Sequence, residues 1–468
     1  MKSTSTSTST HWRLADAGWK TAVLAVSLCT LAASAPSQSP PPPGPNPNRG
    51  IAPINSKPYG KAYGEWSGAW WRWAYSIPTD INPVVDSTGR NADVGQSGPV
   101  WFLAGNFGGV SDRTVVVPEG KALFFPIANQ AWVNTPEFGD NPWSPAQEAY
   151  ARNFIKGSID TFAAISCEID GRPVANLWSY RCQTPPGKEY MVTVPNNNVW
   201  GVPAATYGPA VDDGYWLMLD PLCAGGHTIH FAATNPATAF GLDVSYQVNV
   251  VEPARVIRPD HDCDKNDYGH LSAAWWEWAM EQPLTSPSGA THPFVDAPTF
   301  DVTAGQCGQV WNLASPFGTV TRSCSVPAGK ALFVGMLNAE ASDLEGLGAT
   351  KAERRANAQW QADHIVPASL SATIDGVSVR NITRFRALSP QFDFNAPTPW
   401  IFGATGGHGL AVGDGYYVMV APPSPGPHRI HYTGAFHFDA GELGAGAPAA
   451  DWPLDTVYDI TVAPKHSH

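Results

Sequence analysis

Residues 63–77 read YGEWSGAWWRWAYSI, and residues 268–282 read YGHLSAAWWEWAMEQ. In the first copy Tyr63, Trp66, Trp70, Trp73 and Ile77 recur at steps of three and four, which places them on one face of a helix. Glu65 and Arg72 fall opposite, and Pro78 ends the run. The second copy repeats Ala-Trp-Trp at 274–276 and Trp278-Ala279. Further matches follow in order. Gly95-Gln96 pairs with Gly305-Gln306, Asn129 with Asn338, and Asp213-Gly214-Tyr215 with Asp414-Gly415-Tyr416. His227-x-Ile-His230 pairs with His428-x-Ile-His431, and Tyr246 with Tyr458. The chain is therefore an internal duplication.

Each copy continues in the same pattern. Short apolar runs at 100–103, 114–117 and 122–127 read as strands between turns. Residues 144–162 and 349–364 read as an inserted helix. Asp170-Gly171 and Asp375-Gly376 suit type I′ hairpins. The runs 214–219 and 227–232 read as a further hairpin, and 242–251 closes the unit. The expected fold is mainly β: two tandem β-sandwich domains, jelly-roll or Ig-like, each with an N-terminal Trp-rich helix and one inserted helix. The expected boundaries are 1–34 (signal peptide), 35–58 (Pro-rich disordered spacer), 59–251 (repeat 1), 252–267 (acidic linker) and 268–463 (repeat 2).

Composition limits the function. The net charge of -12 argues against nucleic acid as a partner. Gly and Pro number 44 each, which favours turns over long helices. Lys2, Arg13 and Lys20 precede the apolar run TAVLAVSLCTLAA at 21–33, followed by small residues, as in a secretory signal. That run is too short for a membrane span, so no transmembrane anchor is expected in the mature chain. The segments YGEWSGAWWRWA, GQSGPVWFLAG and VPEGKALFFPI resemble those of a family of secreted bacterial proteins of uncharacterised function, here in two copies. The resemblance implies a periplasmic or extracellular address and carries over no active site.

Six cysteines follow the signal. Cys307 and Cys324 are both absent from repeat 1, and Cys167 and Cys182 from repeat 2, so Cys167–Cys182 and Cys307–Cys324 are expected disulfides, leaving Cys223–Cys263. Residues 260–267, DHDCDKND, space carboxylates like a calcium loop but lack its Gly and final Glu. Weak calcium binding there is the one cofactor expectation, and no other metal site is expected. No GxSxG, HExxH or CxxC occurs.

The Trp clusters read first as core. Trp71 and Trp276, at the flank of the stripe, are the ones expected to be exposed and to contact a ligand. Asn129, Asn338, Arg113 and Arg322, polar in both copies beside apolar strands, join them as ligand-binding candidates. Asp213, Asp414, His230 and His431 are the weak catalytic candidates. The leading expectation is a secreted or envelope-associated binding protein whose partner is polysaccharide or another envelope component. A secreted glycan- or ester-directed hydrolase and a purely structural module are the alternatives.

Overall fold

The computed structural model describes residues 48–135, 143–259, 267–285, 289, 291–295, 303–314, 316–403 and 405–464. The expected signal peptide and all but the last residue of the calcium-like segment lie outside them. Among the described residues no helix is long and apolar enough to cross a membrane.

Helices α1 (Tyr63–Ser76), α2 (Pro145–Ile159), α3 (Tyr268–Met280) and α4 (Lys351–Asp363) are the expected four. Between them run β1 (Val100–Phe102), β2 (Gly109–Pro118), β3 (Ala122–Val133), β4 (Ala164–Ile169), β5 (Arg172–Pro173) and β6 (Arg181–Gln183). Repeat 1 ends with β7 (Tyr190–Val194), β8 (Ala205–Leu219), β9 (Gly225–Asn235) and β10 (Phe240–Val251). Repeat 2 has β11 (Val256–Ile257), β12 (Val310–Leu313), β13 (Gly318–Val326), β14 (Ala331–Ser342), β15 (Ser371–Ile374) and β16 (Val377–Ser378). It finishes with β17 (Arg386–Leu388), β18 (Phe392–Ala396), β19 (Gly407–Val420), β20 (Gly426–Phe438) and β21 (Ala450–Val462).

Repeat 1 is a sandwich of a β1-β3-β8-β6 sheet, with β7 also on β8, and a β2-β10-β9-β4-β5 sheet. Repeat 2 has the same plan: β11-β19-β14-β12, with β17 and β18 on β19, faces β13-β21-β20-β15-β16. In each copy two pairings are parallel, β1 with β3 and β2 with β10, and β12 with β14 and β13 with β21. Cross-sheet contacts fill the core: Phe125 of β3 stacks on Phe231 of β9 with ring centroids 5.4 Å apart. The Asp-Gly turns form as expected, with positive φ at Asp170 and Gly171 and at Asp375 and Gly376.

The runs 214–219 and 227–232 do not form a hairpin. They belong to β8 and β9, which sit in opposite sheets, because each presents an apolar row to the core from its own side. Residues 48–58, expected to be disordered spacer, are ordered. Ile51 bridges Leu219, and the Asn48 amide donates to the Ala175 carbonyl and the Tyr180 hydroxyl. The expected linker likewise contributes β11, paired with Val420 and Met419 of β19.

The expected disulfides are corrected. Cys167, Cys182, Cys223, Cys307 and Cys324 are free thiols. Cys167 lies on β4 and Cys182 on β6, in facing sheets; Cys307 lies in the turn before β12 and Cys324 on β13. No two of these described cysteines are joined, so neither expected pair forms. Cys263 lies outside the described residues. Burial pushes the Cys324 thiol up to about 12 and Cys167 further still.

The two sandwiches meet through charge. His431 of β20 is held between Asp93 Oδ1 (3.1 Å) and Asp455 Oδ1 (2.9 Å). Arg90 reaches Asp455 at 2.8 Å, Arg429 donates to the Gly89 carbonyl, and Thr373 donates to Asp93. Burial alone would push His431 down, but the Asp93 charge and hydrogen bonds to Asp455 and Asp93 hold it up at about 9. Burial would likewise raise Asp455, yet His431 and Arg90 hold it at about 2. In repeat 1 the equivalent pair, His230 and Asp243, is solvent-exposed.

His431 therefore stabilises the interface in full below its unfolded value of 6.5 and loses that contribution as pH rises through 9. His431→Asn is expected to cost about 3–5 kcal/mol near pH 6 and much less above pH 9, measured by urea denaturation at both. Equal losses would contradict a charged His431. Alkylation under denaturing conditions without reductant should label Cys167, Cys182, Cys307 and Cys324, as read by peptide mass; protection of either expected pair would contradict the free thiols.

Candidate functional site

The Trp helices are fixed to the sheets by their polar atoms as well as their rings. Glu65 accepts from Ala62 N–H and caps α1, while the Asp267 side chain accepts from His270 N–H and caps α3. Trp70 Nε1 donates to the Leu103 carbonyl (2.9 Å) and Trp275 Nε1 to the Leu313 carbonyl (3.0 Å). Trp73 and Trp278 donate to Val94 and Ala304. Tyr63 hydroxyl donates to Ala52 and accepts from Met218 N–H; Tyr268 does the same with Ile257 and Met419. Each helix thus ties the lead-in segment, the short parallel strand and the long central strand together.

Those helices sit over a defect that both copies share. Strand β1 stops at Phe102 and β12 at Leu313, so β3 and β14 continue without that parallel partner. Both longer strands carry a bulge just beyond, between Pro126 and Ala128 and between Gly335 and Leu337. A bulge re-aims the side chains that follow it, here Asn129 and Asn338. A cavity opens beside each bulged edge.

In repeat 1 the cavity is about 130 Å³ and is lined by Trp70, Trp71, Asn129, Phe107 and Phe240 among others. In repeat 2 it is about 360 Å³. Its floor is Trp275, Trp276, Met336 and Glu340, and its mouth includes Phe317, Phe402 and Trp452, which are exposed. Phe436 and Phe438, stacked 6.0 Å apart, form one wall.

The polar groups differ between the copies. Glu340 is 5% exposed, and its Oε2 has no hydrogen-bond partner among the described residues. Burial pushes Glu340 well above the ordinary carboxylate range, and Glu345 adds to this through a hydrogen bond and its charge. The Ser342 hydroxyl holds Glu345 at 2.6 Å. The residue matching Glu340 in repeat 1 is Ala131, which stands across the ladder from Asp212, just as Glu340 stands across from Gly413. Each copy therefore keeps one buried acid on this face, carried by opposite strands. Burial raises Asp212 to about 6, although it accepts a hydrogen bond from the Thr184 hydroxyl at 2.8 Å. In repeat 1 the Trp71 Nε1 and Asn129 Nδ2 donors are buried without partners among the described residues. In repeat 2 Trp276 Nε1 donates to the Tyr417 hydroxyl at 2.8 Å, where repeat 1 has Trp216.

The candidates from the sequence are placed as follows. Trp71 and Asn129 line one cavity, and Trp276 and Asn338 the other. The expected exposure of Trp71 and Trp276 is corrected: they are 7% and 4% exposed, because β8 and β19 cover the flank of the helix. Arg113 and Arg322 lie outside both cavities. Arg113 binds the carbonyls of Asp86, Ala104 and Gly105, and Arg322 those of Pro293, Ala314 and Val295. Asp213 is gripped by Arg181 (2.7 and 2.8 Å) and Gln183, and Asp414 by Arg386 (2.8 and 3.1 Å). His230 and His431 belong to the opposite sheets, so no Asp–His pair among these four converges. Among the described residues no three His, Cys, Asp or Glu groups gather to hold a metal ion.

No protein-family model matches the chain, and no curated protein matches it. Solved structures are similar only loosely. The I-band fragment I67–I69 from titin is 11% identical at a TM-score of 0.10, covering 75% of this chain and 62% of that chain. The N-terminal eight Ig domains of Down Syndrome Cell Adhesion Molecule are 11% identical at 0.12, covering 75% and 23%. A multicopper oxidase from Campylobacter jejuni is 9% identical at 0.14, covering 80% and 60%. The chain spans less than two thirds of the length of each, and likeness at this level carries no functional argument.

Sequence reasoning missed Glu340, Glu345, Met336 and the aromatic mouth. The comparison of copies sought sameness, and Glu340 and Met336 stand where repeat 1 has Ala131 and Ile127, whereas Phe317 and Trp452 match Phe107 and Phe240 of the first cavity and were passed over as scattered surface aromatics. A methyl group on Gly413 would overlap the Trp276 indole. Gly413→Ala should therefore displace Trp276 into the cavity and cost about 1–3 kcal/mol, read by thermal unfolding together with a shift in indole emission. An unchanged spectrum and midpoint would contradict this placement of Trp276.

Proposed function

We propose that the chain is a secreted binding protein whose second sandwich takes a compact, mostly apolar molecule into the Trp276 cavity. The observation that carries this reading is the cavity itself: about 360 Å³, floored by two indoles and opening through exposed rings. Ligand pockets in general span about 300–1,000 Å³ and combine apolar walls with a few placed polar groups, here Asn338, Glu340, Glu345 and Gln361. The basic start and apolar run within residues 1–34 support export. A flat platform for a polysaccharide loses its two carriers, since Trp71 and Trp276 are covered. The ligand class accordingly moves from a polymer to a small molecule.

Titration of the full chain with small aromatic and aliphatic compounds should quench indole emission at saturable, micromolar to millimolar concentrations. Leu454→Trp, which fills the cavity from β21, should abolish the effect while leaving the unfolding midpoint within a few degrees of the parent. Quenching that survives this variant would place binding elsewhere and overturn the reading.

A further inference from the structure

The second cavity holds a carboxyl pair in an unusual setting. Glu340 lies in its lining, nine-tenths buried, with Oε2 unpartnered among the described residues. Glu345 stands beside it, oriented by Ser342. None of the described lining residues is Lys, Arg or His. Aromatic faces surround the pair, with Trp275, Trp276 and Phe294 at the floor side and Phe317, Phe402 and Trp452 at the mouth.

A buried acid with a free oxygen needs a donor or a counter-charge. In this cavity the neighbour of Glu340 is a second acid, Glu345, and no described lining residue brings a positive charge. Aromatic faces attract cations through their quadrupole, most of all where water is excluded. Acid pair and rings together ask for one chemical class. Resting on the binding reading above, we infer that the ligand of this cavity is an organic amine with an apolar body, its ammonium group seated on Glu340 and Glu345 and its body among the rings. Repeat 1 has Ala131 at this position, so it does not share the preference.

The proton balance follows. Burial and the neighbouring Glu345 both favour the protonated form of Glu340 in the empty cavity. The groups facing it are Glu345 from the turn after β14, Gln361 from α4, whose amide donates to the Glu340 carbonyl, and Trp276 with its partner Tyr417. Of these, Glu345 and Tyr417 titrate, and Tyr417 is pushed well above its ordinary value by burial. Seating an ammonium ion stabilises the Glu340 carboxylate, so binding releases a proton to solvent and affinity rises with pH while the amine stays charged.

Calorimetry on the full chain with 4-phenylbutan-1-amine and its neutral isostere 4-phenylbutan-1-ol tests this. The amine should bind about ten- to hundredfold more tightly than the alcohol. Its apparent binding enthalpy should change between buffers of different ionisation enthalpy, as proton release requires. Glu340→Gln should erase the preference for the amine, with Glu345→Gln, on the less buried partner, as the second variant if the first does not fold. If the alcohol binds as well as the amine, the amine inference is overturned while binding in the cavity stands. If neither binds, the binding reading itself falls.

Discussion

The free edge of one strand in each sandwich sets the rest of the structure. Strands β1 and β12 end early, and the longer strands beside them bulge and continue paired on one side only, with β8 and β19. An uncovered edge invites pairing with another chain. Here the Trp helix covers the region. Its indole N–H groups satisfy the carbonyls just past the short strand, and its tyrosine clamps the lead-in segment to the central strand. Because rings are bulky and the bulge turns side chains aside, the cover leaves space, and that space is the cavity.

The two copies use this arrangement differently. Phe124 stacks on Trp216 in one, with centroids 5.2 Å apart, and Phe333 on Tyr417 in the other, 5.3 Å apart. Exchanging the indole for a phenol gives Trp276 a partner that Trp71 lacks. Moving the buried acid from β8 to β14 brings it into the lining of the cavity, where Asp212 of repeat 1 is not. The same divergence governs how the sandwiches join. A His–Asp pair recurs on the outer sheet of both, but Asp93 and Arg90 of repeat 1 cover only the second. Thr303 aligns with Asp93, so repeat 2 has no such carboxylate to offer a further unit.

Much of the scaffold was legible. Spacing of Tyr63, Trp66, Trp70 and Trp73 gave the helix, and Asp170-Gly171 its tight turn, because both are local steric matters. Exposure of Trp71 was misjudged because helical periodicity describes one face, whereas β8 wraps the flank as well. The pairing of cysteines failed for a related reason: loss of two residues together says nothing of whether the fold brings their sulfurs together. The switch of chain between β8 and β9 depends on both sheets competing for the same core, which no window of sequence contains. Of the site, Trp276 and Asn338 were in view, but Glu340 was hidden by its being unrepeated. Its chemistry comes from burial rather than from any motif.

The account rests on a neutral acid at the floor of an empty aromatic cavity. Infrared difference spectroscopy between the parent chain and Glu340→Gln reads that state directly. A protonated carboxyl band at neutral pH, lost in the variant, is the expected result. A carboxylate band that titrates in the ordinary acid range would mean that Glu340 is solvated and ionised, and would contradict the account.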